Sequence, residues 1–223
     1  MDVEGEIRRT LRAVADPTRA PGQQAYMKSS MPFLGVRVPE ARRIARTVGK
    51  RLTDPGAVRE TARRLWEHAE FREEWYAALA LLGLRLVRGD LANVPLIEHF
   101  VRSGQWWDIT DELAHRLAEL HDCHPEQTAA LVLDWCRDDD LWIRRIAILS
   151  QLGRRDRLDR DLLAALIEPN LADPDFFIRK AIGWALREYA RVDPDWVLTY
   201  AYEHELSPLS RREALKHLAA LGS

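Results

Sequence analysis

Apolar residues recur at steps of three and four along nearly the whole chain, and no stretch sustains the every-second-residue alternation of a half-buried strand. The segments "RETARRLWEHAEFREEWYAALALLGLRLV" (59–87), "DLLAALIEPNL" (161–171) and "RREALKHLAAL" (211–221) carry the helical spacing most clearly. Interruptions fall at "ADPTRAPG", "TDPG", "CHPEQ", "ADPDFF" and "VDPDW". Each sets an Asx or His beside a proline near a helix start, where the N–H that proline lacks would go unpaired anyway. The pattern predicts an all-α chain with short turns.

A longer period overlies the helical one. Trp75, Trp107, Trp142, Phe177 and Leu209 each head a helix of similar character, at spacings of 32, 35, 35 and 32 residues. A single helical hairpin cannot bury its apolar face, so hairpins recurring at such a period stack into a solenoid. We therefore expect one domain over residues 1–223, a HEAT-like helical-repeat solenoid of stacked antiparallel helix pairs whose second helices line a concave face. Counting from each leading residue, Trp107 is position 0, Asp111 position +4, Arg145 and Lys180 position +3, and Trp184 position +7. Positions 0, 3, 4 and 7 share one face of a helix, so neighbouring repeats would align two indoles, a carboxylate and a row of cations. The competing reading makes the tryptophans core residues between hairpins, and it is the preferred one for Trp142.

Composition narrows the class. At 223 residues, 47% hydrophobic and 30% charged, the chain suits a folded domain with a sizeable core. No basic start leads into an apolar run with a cleavage site, and the longest apolar stretch, around Trp75 to Leu84, is too short to cross a bilayer. A cytoplasmic protein without membrane association is expected, and Cys123 and Cys136 are expected to be free thiols. The net charge of −2 is unevenly spread. Residues 1–60 carry 12 Lys/Arg against 7 Asp/Glu, residues 61–140 carry 8 against 16, and residues 141–223 carry 13 against 12. Basic ends around an acidic middle permit a local polyanion-binding surface, while solvated helix faces account for the same counts.

The stretch "SGQWWDITDEL" concentrates chemistry: Trp106 and Trp107 are costly to expose, and Asp108 and Asp111 are costly to bury. Asp108, beside the start of a helix, has a cap or an ion pair as its plainer role. His121, Cys123 and His124 lie close together, but no second ligand pair stands at zinc spacing, so no metal is expected. No nucleophilic triad and no Gly-rich phosphate loop is identifiable.

The segments "YMKSSMPFLGVRVPEARR", "SGQWWDITDEL", "LWIRRIAILSQL", "FFIRKAIGWALREYARVDPDWV" and "LSPLSRREALKHL" resemble, in order and over nearly the whole chain, the DNA alkylation repair proteins of the AlkD type, HEAT-like DNA glycosylases. The resemblance implies a pocket built by Trp107, Asp111 and Trp184, with Arg145 contacting the DNA backbone and Tyr26 near the pocket. It implies excision of cationic N3- and N7-alkylated purines from double-stranded DNA, without metal or cofactor and without swinging the base into a deep cavity. On that footing Lys28, Arg144, Arg179, Lys180, Arg187, Arg211 and Arg212 are expected phosphate contacts. Arg37, Arg42, Arg43 and Arg46 are further candidates, with a solvated face as the alternative for the last three. Trp106 and Asp108 would support the pocket. A monomer is expected, because a duplex must enter the concave face. The alternative is a non-catalytic helical-repeat module that binds DNA or protein partners.

Overall fold

The structure, a computed structural model, describes residues 2–218. It contains thirteen α-helices and three single-turn 3₁₀ segments, and no strand among the described residues. The last residues of the periodic segment 211–221 lie outside the described residues. The chain forms two compact units, one ending at Phe100 and the other beginning at Val101.

The first unit is built from α1 (Val3–Ala13), α2 (Ala20–Met27), α3 (Val38–Gly49), α4 (Pro55–Glu67), α5 (Arg72–Leu81) and the start of α6 (Val94–Gly104). Helix α5 packs against α1, α3 and α4, which explains its alanine-rich sequence and the burial of all but one of its residues. Two of those buried residues are carboxylates, and each is compensated. Glu73 accepts the backbone N–H groups of Leu34, Gly35 and Val36 at 2.9, 2.9 and 3.1 Å, while Glu74 pairs with Arg8 and Arg12. The long periodic run 59–87 is therefore not one helix. It stops at Glu67, turns through an extended Phe71 (φ −131°, ψ 147°), and restarts to carry Glu73 to the waiting N–H groups. Trp75 stacks on Trp66 at 4.2 Å and donates its indole N–H to the Trp66 carbonyl, so this first repeat leader is a packing residue.

The second unit takes the end of α6, then α7 (Trp107–Cys123), α8 (Pro125–Trp135), α9 (Leu141–Ile148), α10 (Arg160–Ile167), α11 (Phe176–Tyr189), α12 (Pro194–Glu203) and α13 (Pro208–Ala214). Trp107, Trp142, Phe177 and Leu209 stand at the first or second residue of α7, α9, α11 and α13, and these helices pack in sequence, α7 on α9, α9 on α11, α11 on α13. Side-chain caps start α9, α11, α12 and α13, whereas α7 begins after Trp106 without one. Asp140 accepts from Trp142 N, Asp175 from Phe177 N and Ile178 N, Asp193 from Trp196 N, and Ser207 from Ser210 N. In "ADPDFF" the cap is Asp175 rather than the Asp173 that precedes the proline. Helix α13 approaches α11 closely because residue 183 is glycine: a Cβ there would lie 2.6 Å from the Glu213 Cβ and 2.8 Å from the Ser210 carbonyl oxygen. Cys123 is exposed and Cys136 buried, and both are free.

Candidate functional site

The two adjacent tryptophans separate at the start of α7. Gln105 adopts a left-handed conformation (φ 38°), which ends the preceding helix, and Trp106 follows in extended conformation, so neighbouring side chains point to opposite sides. Trp106 joins an aromatic cluster, 5.9 Å from Trp142 and 5.5 Å from Phe177 between ring centroids, while Trp142 and Phe177 lie 4.8 Å apart. Trp142 is buried, as a core residue should be. Trp107 turns the other way and lines a cavity of about 280 Å³ within the second unit.

That cavity collects the shared face of the stacked helices. Helix α7 contributes Trp107 and, one turn on, Asp111; α9 contributes Arg145; α11 contributes Phe176, Phe177, Lys180, Trp184 and Arg187; α13 contributes Glu213. The register argument thus brings Trp107, Asp111, Arg145, Lys180 and Trp184 to one place. Four aromatic and five charged residues line it, and the charges come in two bridged groups.

The inner group is Asp111 with Arg145. The Arg145 guanidinium donates from Nε to Asp111 Oδ1 and from Nη2 to Oδ2, both at 2.9 Å, and its Nη1 donates to the Phe177 carbonyl at 2.6 Å. Arg145 is only 4% exposed, and the Asp111 side chain is 17% exposed. Burial raises the Asp111 carboxyl above its ordinary value, with Arg145 pulling against that shift and the nearby Asp108 charge adding to it. Arg145, expected at the DNA backbone, is engaged inside the unit through all three guanidinium nitrogens. The physical reason is burial: a cation and a carboxylate facing each other from adjacent helices with little water satisfy each other first.

The outer group is Lys180, Glu213 and Arg187. Glu213 meets Lys180 Nζ at 3.0 Å and Arg187 Nη1 at 2.6 Å, and these contacts hold its carboxyl below the ordinary range. Lys180, Trp184 and Arg187 follow one another along the same face of α11, so Glu213 bridges the two cations that flank the indole.

The remaining expected residues lie outside the cavity lining. Arg144 donates to Asp173 at 2.9 Å and to the carbonyls of Asp138 and Asp139, and Arg179 donates to the Asp173 carbonyl, so both brace the loop before α11. Arg211 and Arg212 are exposed on α13. In the first unit Tyr26 is 74% exposed near the end of α2, and Lys28 caps that helix in left-handed conformation (φ 49°). Asp108 stands in the first turn of α7. His121 is buried with its Nε2 3.3 Å from Ser150 Oγ, away from the exposed Cys123. Sequence reasoning did not assign Phe176, Phe177 or Glu213 to the cavity. For Glu213 a signal existed: it occupies position +4 after Leu209, the register of Asp111 after Trp107.

The profile of a DNA alkylation repair enzyme matches residues 7–218. The chain belongs to that family. A solved structure described as a predicted DNA alkylation repair enzyme from Enterococcus faecalis is 28% identical, covers 92% of this chain and 97% of its own, and superposes with a TM-score of 0.83. Two Streptococcus mutans structures share the fold. The protein smu.31 is 18% identical, with 81% of this chain and 92% of its own covered and a TM-score of 0.64. AlkD2 is 17% identical, with 82% and 90% covered and a TM-score of 0.61. No curated protein matches the chain. Family membership makes DNA the partner to consider at the cavity, and no helix among the described residues is long and apolar enough to cross a membrane.

Proposed function

We propose that the chain is a monofunctional DNA glycosylase that hydrolyses the N-glycosidic bond of cationic N3- and N7-alkylated purines in duplex DNA. The observation that carries this reading is the convergence of Trp107, Asp111 and Trp184 on one cavity. Alkylation at N3 or N7 places positive charge on the base, which then leaves with the bonding pair and becomes neutral. The demand on the protein falls on C1′, where positive charge grows as in glycoside hydrolysis. Asp111 supplies negative charge for that centre and an acceptor for the attacking water; Arg145 takes one lone-pair direction on each oxygen and fixes the carboxylate plane, leaving others toward the cavity. Removing such a group costs about 3 kcal/mol of barrier by analogy with other electrostatic deletions. The indole faces favour a cationic nucleoside over a neutral one by roughly 1–2 kcal/mol when desolvated.

One observation favours a second reading. A carboxylate held bidentately by a buried arginine is also what a purely structural tie looks like, and on that reading the chain is a non-catalytic helical-repeat module that binds DNA. Incubation with methylated duplex DNA and measurement of released bases separates the two. Release by the wild type that is lost in Asp111→Asn supports the glycosylase; equal release removes Asp111 from the mechanism; and no release from either supports the module.

A further inference from the structure

The two ion-pair groups in the cavity are repeat equivalents. Asp111 and Arg145 occupy positions +4 and +3 on α7 and α9; Glu213 and Lys180 occupy +4 and +3 on α13 and α11. Their surroundings differ. The Arg145 side chain is 5% exposed, but that of Lys180 is 37% exposed, so the inner pair is a fixture and the outer one opens to solvent. Glu213 is placed with little freedom. Gly183 lets α13 seat its Cβ against α11, and Ser210 Oγ donates to the Arg179 carbonyl at 2.9 Å to hold the register.

We propose that Glu213 is a specificity-determining residue, an internal counter-ion that occupies Lys180 and Arg187 and so keeps the cavity rim from holding undamaged DNA. The inference rests on the DNA-glycosylase reading of the same cavity. A carboxylate bridging a lysine and an arginine stands where one phosphate would bridge them. A cation already neutralised from within gains little from a phosphate and displaces little of the counter-ion atmosphere condensed on the DNA, so the free energy of backbone binding drops at these two positions. The same charge acts oppositely on a cationic base. With Glu213 the cavity's three cations face two carboxylates, whereas neutralising Glu213 leaves one and raises the local positive charge that an alkylated purine must meet. The first effect lowers affinity for both duplexes alike, and the second, which acts on the cationic base alone, widens the difference between damaged and undamaged DNA.

The test is fluorescence anisotropy with Glu213→Gln, which preserves side-chain shape. The probes are an undamaged duplex and the same duplex carrying N7-methylguanine on a 2′-fluoro sugar, which blocks base loss during titration. The variant is expected to bind undamaged DNA more tightly. For each cation released, a fourfold rise in salt should weaken its binding about 3.5-fold more than it weakens that of the wild type. The affinity ratio of methylated to undamaged duplex should fall. Lys180→Ala added to Glu213→Gln should bring the salt slope back toward that of the wild type, which a merely structural role for Glu213 would not do. An unchanged or shallower slope in Glu213→Gln, or an unchanged ratio, overturns the proposal. If the wild type releases no methylated base while the slope and ratio shift as stated, the chemistry assigned above fails and the counter-ion role stands. Absence of DNA binding by both proteins overturns both.

Discussion

Replacing Arg145 by methionine separates a structural arginine from a DNA-contacting one. The substitution keeps the apolar stem and removes a guanidinium that satisfies both Asp111 oxygens at 2.9 Å and the Phe177 carbonyl at 2.6 Å. Breaking a buried pair from one side costs roughly 3–5 kcal/mol, and a carbonyl left without its donor adds to the loss. Asp111 retains some access to the cavity and its carboxyl already sits above the ordinary value, so protonation relieves part of the cost and the lower figure applies. We expect Arg145→Met to lose about 3 kcal/mol of stability in urea unfolding. Asp111→Leu combined with Arg145→Met should lose much less than the two single changes together, since the double variant leaves no orphaned charge. Salt dependence of DNA binding gives the second readout, and Arg145→Met should leave its slope unchanged. Stability within about 0.5 kcal/mol of wild type, together with a slope reduced by about 0.9, would refute the reasoning and return Arg145 to the DNA backbone.

Three further outcomes follow from the packing. Gly183→Ala puts a Cβ 2.6 Å from that of Glu213 and 2.8 Å from the Ser210 carbonyl oxygen, so α13 must move. The overpacking, about 1–3 kcal/mol, should exceed the helix-propensity gain of about 1 kcal/mol, giving a lower Tm and altered Trp184 fluorescence. His121 has its pKa lowered to about 4 by burial, so between that value and 6.5 the unfolded chain binds more protons than the folded one. Stability should be full above pH 6.5 and fall by on the order of 3 kcal/mol as pH drops through that window, a loss that His121→Gln should remove in denaturation at a series of pH values. Glu73→Ala leaves the N–H groups of Leu34, Gly35 and Val36 without their acceptor and should cost on the order of 3 kcal/mol or more, with faster amide exchange at those residues. Glu73→Gln should be milder, because its amide oxygen still accepts.

The architecture was largely legible from periodicity. The repeat leaders from Trp107 to Leu209 fall within a residue of helix starts, because a spacing of one helix pair forces like residues onto like positions. The repeat put a helix start at Trp75, inside 59–87, but nothing in the sequence marked where the preceding helix stops. No glycine or proline marks it, and its cause is Glu73, whose backbone partners lie almost forty residues earlier. At the site, register placed Asp111, Arg145 and Lys180 on one face yet could not say which charges would join. A helix face specifies direction, whereas pairing depends on the distance between helices and on how much water remains. Glu213 shares the register of Asp111, but its helix is led by a leucine rather than an aromatic residue and attracted no notice. Phe176, 55% exposed and lining the cavity, precedes the repeat leader Phe177 and carried no register signal of its own.

Gln105 shows what separating Trp106 from Trp107 requires. A left-handed conformation in a residue with a side chain costs on the order of 1 kcal/mol, and glycine would remove that penalty. Glycine would also free the unfolded chain and widen the range of directions available where the two indoles part. The strained glutamine narrows that range, so the orientation of the cavity's first wall is decided by a hinge residue two positions before it, whose own side chain takes no part in the chemistry.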